Sequence, residues 1–136
     1  MSDDADVLSA NASFYEVFRV GSFAAMDALW ARREPVACIH PGWPALVGRA
    51  RVMASWKAIF ESGAPAIACT AAEAHVLGDV AFVTCTELVD DGQLVATNLF
   101  AREDGSWRMV HHHAGPVAGP EPERIRRRTP TDAGPN

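Results

Sequence analysis

The sequence predicts an α+β domain, a cone in which N-terminal helices pack into a curled antiparallel sheet. Three observations carry that prediction. Apolar side chains recur at three-to-four spacing in the first half, they alternate at strand spacing in the second, and turn dipeptides punctuate the second half. Helices segregated from strands in this way point to α+β and not to βαβ alternation.

The first helix is expected over Asp6–Val20, where Val7, Leu8, Asn11, Phe14, Tyr15 and Phe18 share one stripe. Gly21 ends it, and Ser22 caps a short second helix through Trp30. Pro35 interrupts, Val36–His40 reads as a short strand stopped by Pro41, and Pro41-Gly-Trp-Pro44 is a turn. A third helix is expected from Gly48 to Ser62, with Val52, Trp56, Ile59 and Phe60 on its apolar side. Strand-like runs follow at Ile67–Leu77, Val80–Val89, Leu94–Arg102 and Trp107–His113. Gly78-Asp79, Asp91-Gly92 and Asp104-Gly105 separate them, and such dipeptides supply the positive φ of tight hairpins. Four strands and three hairpins make an antiparallel meander.

The run Val80–Val89 is apolar on both faces: Phe82 and Leu88 on one, Ala81, Val83 and Val89 on the other. Both faces are therefore expected to be covered, one by helices and one by a second copy in a homodimer. A lysine at Val83 or Val89 is expected to disrupt that second contact. From Pro116 the composition turns to proline and arginine, with Arg124 and Arg126–Arg128. Residues 1–116 are thus assigned to the domain and 117–136 to a mobile tail with too little apolar content to pack. A solvated tail is preferred over a nucleic-acid contact.

Composition bounds function. At 136 residues and 49% hydrophobic content the chain suits one domain with its own core. A net charge of −5 argues against a phosphate-tracking surface, so no nucleic-acid partner is expected. The three cysteines, Cys38, Cys69 and Cys85, form no CxxC pair and sit in apolar runs, which reads as reduced thiols in a cytoplasmic protein. No apolar run approaches the ~20 residues of a membrane span, and the acidic start lacks the features of a signal peptide. GxGxxG and GKS/T elements are absent, as are HExxH and paired-carboxylate signatures, so no cofactor and no metal are expected.

Several side chains remain as site candidates. His40 ends the first strand, and a neutral imidazole can take a proton near neutral pH. Its other reading is a strand-end histidine satisfied by backbone. His111-His112-His113 invites a metal, but strand alternation sends His112 opposite to its neighbours. A metal there would need further ligands from His40, Cys38, Glu87 or His75. Trp30, Trp43, Trp56, Phe60 and Phe100 are expected to wall an apolar pocket, with Trp43 at its rim. The serines and cysteines lack the base-plus-orienter context of acyl transfer.

The order of Phe14-Tyr15, Met26–Trp30, Cys38-Ile-His-Pro41, Arg102–Trp107 and Val110–His113 resembles the SnoaL-like members of the nuclear transport factor 2-like superfamily. The resemblance runs from about Ala5 to Pro116 and extends to the association domain of calcium/calmodulin-dependent kinase II. It implies a dimeric cone with a deep pocket, in a superfamily that holds isomerases, cyclases, dehydratases and non-enzymatic modules, so fold alone does not fix function. In the ketosteroid isomerase branch, a tyrosine on the first helix supports an oxyanion and an aspartate before a proline is the base. Tyr15 falls near the first of those positions and His40 at the second, and a second acid on a later strand falls near Thr97 or Asn98. The resemblance thus implies His40 as base, Tyr15 and Asn98 as oxyanion donors, and His112 in the cone with Val110. Positions that carry charge in the kinase association domain look like Thr84, Asn98, Ala114 and Val52 here, which argues against an anionic ligand. Thr84 and His112 join the aromatic residues as ligand-binding candidates.

Two functions follow as expectations. One is an isomerase-, dehydratase- or cyclase-like enzyme acting on a small apolar carbonyl compound by general acid–base chemistry. The other is a non-catalytic dimeric module that binds a ligand or assembles, favoured by the lack of an expected buried carboxylate.

Overall fold

The computed structural model describes residues 2–90 and 92–117. Helix α1 spans Asp3–Val20, three residues longer at its start than the apolar stripe suggests. The reason is local. The Ser2 hydroxyl accepts the Ala5 N–H at 3.2 Å, and Asp3, Asp4 and Asp6 lie at the positive end of the helix dipole. Gly21 closes the helix in the left-handed region, φ 80°, returning its N–H to the Val17 carbonyl. Ser22 caps α2, Phe23–Leu29, by accepting the Ala25 N–H, and α3 runs over Arg49–Glu61.

The strands are β1 (Ala37–Ile39), β2 (Leu46–Val47), β3 (Ile67–Leu77), β4 (Val80–Val89), β5 (Gly92–Glu103) and β6 (Ser106–Pro116). They form one open sheet in the order β2-β1-β6-β5-β4-β3. Strands β3 to β6 are the expected antiparallel meander. Positive φ at Gly78, Asp90, Asp104 and Gly105 makes its tight turns. The sheet as a whole is mixed, because β1 pairs parallel to β6, with Cys38 opposite His112 and Ile39 opposite His113. Strand β2, which sequence periodicity is too short to reveal, pairs antiparallel with β1.

Alternation along β4 decides which face is the core. Ala81, Val83, Cys85 and Glu87 are buried, while Phe82, Thr84 and Thr86 are half-buried and Leu88 is exposed on the other face. Val83 therefore points at the helices and is fully buried, so it does not belong to an outer contact surface. That corrects the expectation for lysine here and at Val89, which has the same inward parity and lines the interior. The outer face holds Phe82, Leu88 and Val95, with His75 stacked on Phe82 at 4.7 Å between ring centroids.

The concave face wraps Phe14 and Phe18 of α1 and Trp56 of α3, which meet edge-to-face at 4.8–5.9 Å. Burying each such ring contributes about 1.5–3 kcal/mol. Two polar clamps fix the segment that leads to His40. The Glu103 carboxylate accepts the backbone N–H groups of Arg32 and Arg33 at 2.8–2.9 Å. The Arg49 guanidinium caps the end of α2 through the Asp27, Trp30 and Ala31 carbonyls and the Asp27 carboxylate. Among the described residues, no helix is long and apolar enough to cross a membrane. The tail expected from residue 117 falls, from 118 onward, outside the described residues.

Candidate functional site

A cavity of about 240 Å³ opens between α1, α3 and the ends of β4, β5 and β6. Phe18, Trp43, Ile59, Ile67, Val89 and Leu94 give it apolar walls, with Pro41 and Pro65 at the loops. Its polar groups are three: His40, Glu87 and His112. All three are buried, at 3%, 2% and 1% exposure, so their chemistry is set by neighbours and not by water.

His40 is brought in by β1, whose parallel pairing with β6 sets it 6.4 Å from His112, ring to ring. Its ring lies edge-on to Trp43 and Trp56, at 4.9 and 4.8 Å. Nε2 is 2.9 Å from the Ser55 hydroxyl, which donates its own proton to the Val52 carbonyl at 2.6 Å. Ser55 Oγ can therefore only accept from His40, so Nε2 carries the hydrogen and Nδ1 the lone pair. Burial lowers the His40 pKa to about 4 and keeps the ring neutral at physiological pH.

His112 has the opposite tautomer. Its Nδ1 is 2.6 Å from Asn98 Oδ1, and Asn98 spends its amide hydrogens on Asn11 Oδ1 and Tyr15 Oη, at 2.8 and 3.1 Å. Nδ1 must then donate, and the bare Nε2 faces Glu87 Oε2 at 3.7 Å. Burial, with His40 as the next cause, lowers the His112 pKa to about 3.

Glu87 is the residue sequence reasoning missed as a pocket acid. It entered only as an auxiliary metal ligand, and a buried carboxylate was not expected. The signal was available: Glu87 has the same parity as Ala81, Val83 and Cys85, the inward set of β4. Burial raises its pKa, opposed by the bond that Tyr15 Oη donates to Oε2 at 2.6 Å.

The remaining candidates divide. Tyr15 and Asn98 stand one layer behind the cavity, where they brace Glu87 and His112, because their hydrogens are already committed. Trp43, 43% exposed, is at the rim. Trp56 packs on His40, and Phe60 packs on Trp56 at 5.8 Å. Trp30 and Phe100 are core residues away from the lining, with Trp30 Nε1 bonded to Met26 Sδ at 3.3 Å. Thr84 faces the outer side of the sheet, because β4 alternation leaves it with Phe82, so it does not reach the cavity. His111 and His113 also face outward, with ring centroids 6.2 Å apart.

Comparison with known proteins agrees with this architecture. A candidate dehydratase of the nuclear transport factor 2-like family from Streptomyces avermitilis is 35% identical, with TM-score 0.79 over 86% of this chain and 97% of that one. A candidate calcium/calmodulin-dependent protein kinase type II association domain from Thiobacillus denitrificans is also 35% identical, with TM-score 0.73 over 81% and 94% of the two chains. The F-box protein SKIP8 of Arabidopsis thaliana is 34% identical over 112 residues, 79% of this chain and 48% of that protein. The chain thus spans about half the length of that curated relative. Residues 7–119 match the model of the SnoaL-like domain, and with the cone of helices and mixed sheet this places the chain in the SnoaL-like family of the nuclear transport factor 2-like superfamily.

Proposed function

We propose that this protein is an acid–base enzyme of the isomerase, dehydratase or cyclase type, acting on a small apolar carbonyl compound. The observation that carries the reading is the pairing of His40 with Glu87 in one apolar cavity. Burial lowers the pKa of the first to about 4 and raises that of the second above its usual value, so the ordinary order of a histidine and a glutamate is reversed. Groups separated in this way are the usual signature of a base and an acid in one site.

In this reading His40 Nδ1 takes a proton from a carbon next to the carbonyl. Its partner Ser55 keeps Nε2–H engaged while the ring becomes positive. An imidazolium with a pKa near 4 is an unfavourable product alone, and the negative charge developing on the substrate offsets that cost. Glu87 supplies or receives the second proton, with His112 Nε2 beside it as acceptor. Tyr15 and Asn98 orient the acid and His112 and do not touch the substrate. At about 240 Å³ the cavity lies just below the usual ~300–1,000 Å³ range, so a compact substrate is expected. The likeness to a candidate dehydratase supports the reading.

The small cavity and the likeness to a candidate association domain favour a second reading, a non-catalytic dimeric module that holds a ligand or assembles. One experiment separates the two. Wild type, His40→Ala and Glu87→Gln are incubated in deuterated water with a panel of small cyclic ketones and β-hydroxy ketones. Catalysed deuterium uptake or water loss that falls 10²–10⁴-fold in His40→Ala supports the enzyme, as general-base contributions are of that size. Compounds that bind in the cavity but never exchange or react support the binding module.

A further inference from the structure

A second, separate opening lies between α1 and β3. It is a groove of about 530 Å³ lined by Leu8, Asn11, Tyr15, Arg19, Ile67 and Cys69, among others. The Cys69 thiol is half-buried in its wall, and behind it Cys85 of β4 is 3% exposed. The acid–base reading uses neither sulfur.

Their surroundings tie the two thiols together. Cys69 is opposite Glu87 across the β3–β4 pair, so Cys85 is its diagonal neighbour on the inward face. Asn11 Nδ2 donates to Cys69 Sγ at 3.7 Å, while Asn98 Nδ2, bonded to Asn11 Oδ1, reaches Cys85 Sγ at 4.0 Å. Tyr15 Oη lies 3.3 Å from Cys85 Sγ. The β3 register breaks between Thr70 and Glu73, opposite Cys85, with Ala71 at φ 57°. A bulge there gives β3 slack at the place where a covalent bridge would pull.

We propose that Cys69 and Cys85 form a hydroperoxide-reactive dithiol, with Cys69 as the attacking sulfur on the groove and Cys85 as the resolving one. The steps balance. Cys69 sulfur attacks the O–O bond of the hydroperoxide and becomes the sulfenic acid. The departing alkoxide or hydroxide takes the thiol proton and leaves as alcohol or water. Cys85 sulfur then displaces hydroxide from the Cys69 sulfenic acid, and its own proton completes a water. Two thiols are oxidised to one disulfide, and one hydroperoxide is reduced. Asn11 adds a donor to Cys69, and the Tyr15 oxygen, its proton held by Glu87, can accept from the Cys85 thiol. Because the Tyr15 hydroxyl also bonds Glu87, a bridge at Cys85 would be felt at the carboxylate that lines the central cavity.

Cys38 is the internal control. It is fully buried, whereas Cys69 lines the groove, so peroxide reaches Cys38 less readily than Cys69. The test treats the whole chain with hydrogen peroxide, alkylates the remaining thiols, and maps peptides without reduction. The expected product is an intramolecular Cys69–Cys85 peptide pair two hydrogens lighter, with Cys38 still alkylated. In Cys85→Ser the reaction should stop at a Cys69 sulfenic acid trapped by dimedone, and in Cys69→Ser the Cys85 thiol should survive the same dose. Oxidation of Cys38 at an equal rate overturns the proposal, as do dimedone capture at Cys85 and the absence of a bridge in folded wild type.

Discussion

Tyr15 donates its hydroxyl to Glu87 at 2.6 Å, joining helix α1 to strand β4 across the interior of the cone. Both residues are buried, and Tyr15 Oη is itself held by Asn98 Nδ2. Removing this one oxygen leaves the carboxylate without its donor and the Asn98 amide short of an acceptor. Tyr15→Phe is therefore expected to cost about 1–3 kcal/mol, the usual penalty for a buried polar group left unpaired. Glu87→Gln in the Tyr15→Phe background should recover part of that loss, because an uncharged amide tolerates burial better. Urea denaturation of the two single variants and the double variant measures this coupling. Strict additivity would show that the bond contributes nothing.

Acid should destabilise the fold through its buried imidazoles. The folded pKa of His40, about 4, and of His112, about 3, lie below the ordinary 6.5. Groups depressed in this way contribute stability that is complete above the unfolded pKa and is lost as pH falls through the folded one. For His40 the 2.5-unit gap is about 3 kcal/mol at ~1.36 kcal/mol per unit. Glu87 acts in the opposite sense: raised in the folded state, it favours folding below its unfolded pKa and loses that contribution as pH rises through the folded one. Stability measured from pH 7 down to 4 should fall in wild type and fall less steeply in His40→Gln. Equal slopes would mean that the His40 pKa is the same in the folded and unfolded states.

The outer sheet face leads to a test of assembly. Leu88 at 39% and Val95 at 52% exposure stand with Phe82 on that face, too apolar to be left to water without reason. A homodimer through this face is expected to bury more than ~1,000 Å². Light scattering should then give twice the chain mass, and Leu88→Lys with Val95→Lys should halve it with the cone still folded. Val83→Lys is the wrong probe, because that side chain is in the core. A wild-type monomer at micromolar concentration would remove the dimer from the proposal.

The order of helices and strands was legible because each signal was local. Caps, glycines and alternation fix Ser22, Gly21 and the meander without tertiary information. The parallel β1–β6 pair was not, since nothing in Ala37–Ile39 records which of the later strands it meets. The site shows the same division. His40 stood out by its place before Pro41, and His112 by strand parity. Glu87 was hidden by its type, because a glutamate in a strand reads as surface until its partners are known. Tyr15 and Asn98 were found, but their orientation depends on Glu87 and His112, which supply the acceptor and donor that turn them from the cavity. Thr84 was misplaced because a family position was weighed above the alternation of β4.

Ser55 gives the sharpest test of how His40 is set up. Its hydroxyl proton is spent on the Val52 carbonyl, so its oxygen is an acceptor that selects the Nε2–H tautomer of His40. In Ser55→Ala that selection disappears, and a buried N–H is left without a partner. The expected cost is about 1–3 kcal/mol of stability. A merely structural serine would produce that loss alone. A tautomer-setting serine also changes the nitrogen-15 shifts of the His40 ring, where the single Nε2–H pattern of wild type should give way to a mixture. Ser55→Thr, which keeps the hydroxyl, should restore the wild-type pattern. If the acid–base reading is correct, Ser55→Ala should lower kcat more than it changes KM, because Nδ1 is the basic atom only while Nε2 holds the hydrogen. An unchanged tautomer in Ser55→Ala would show that the ring is set by its packing between Trp43 and Trp56 and not by the serine.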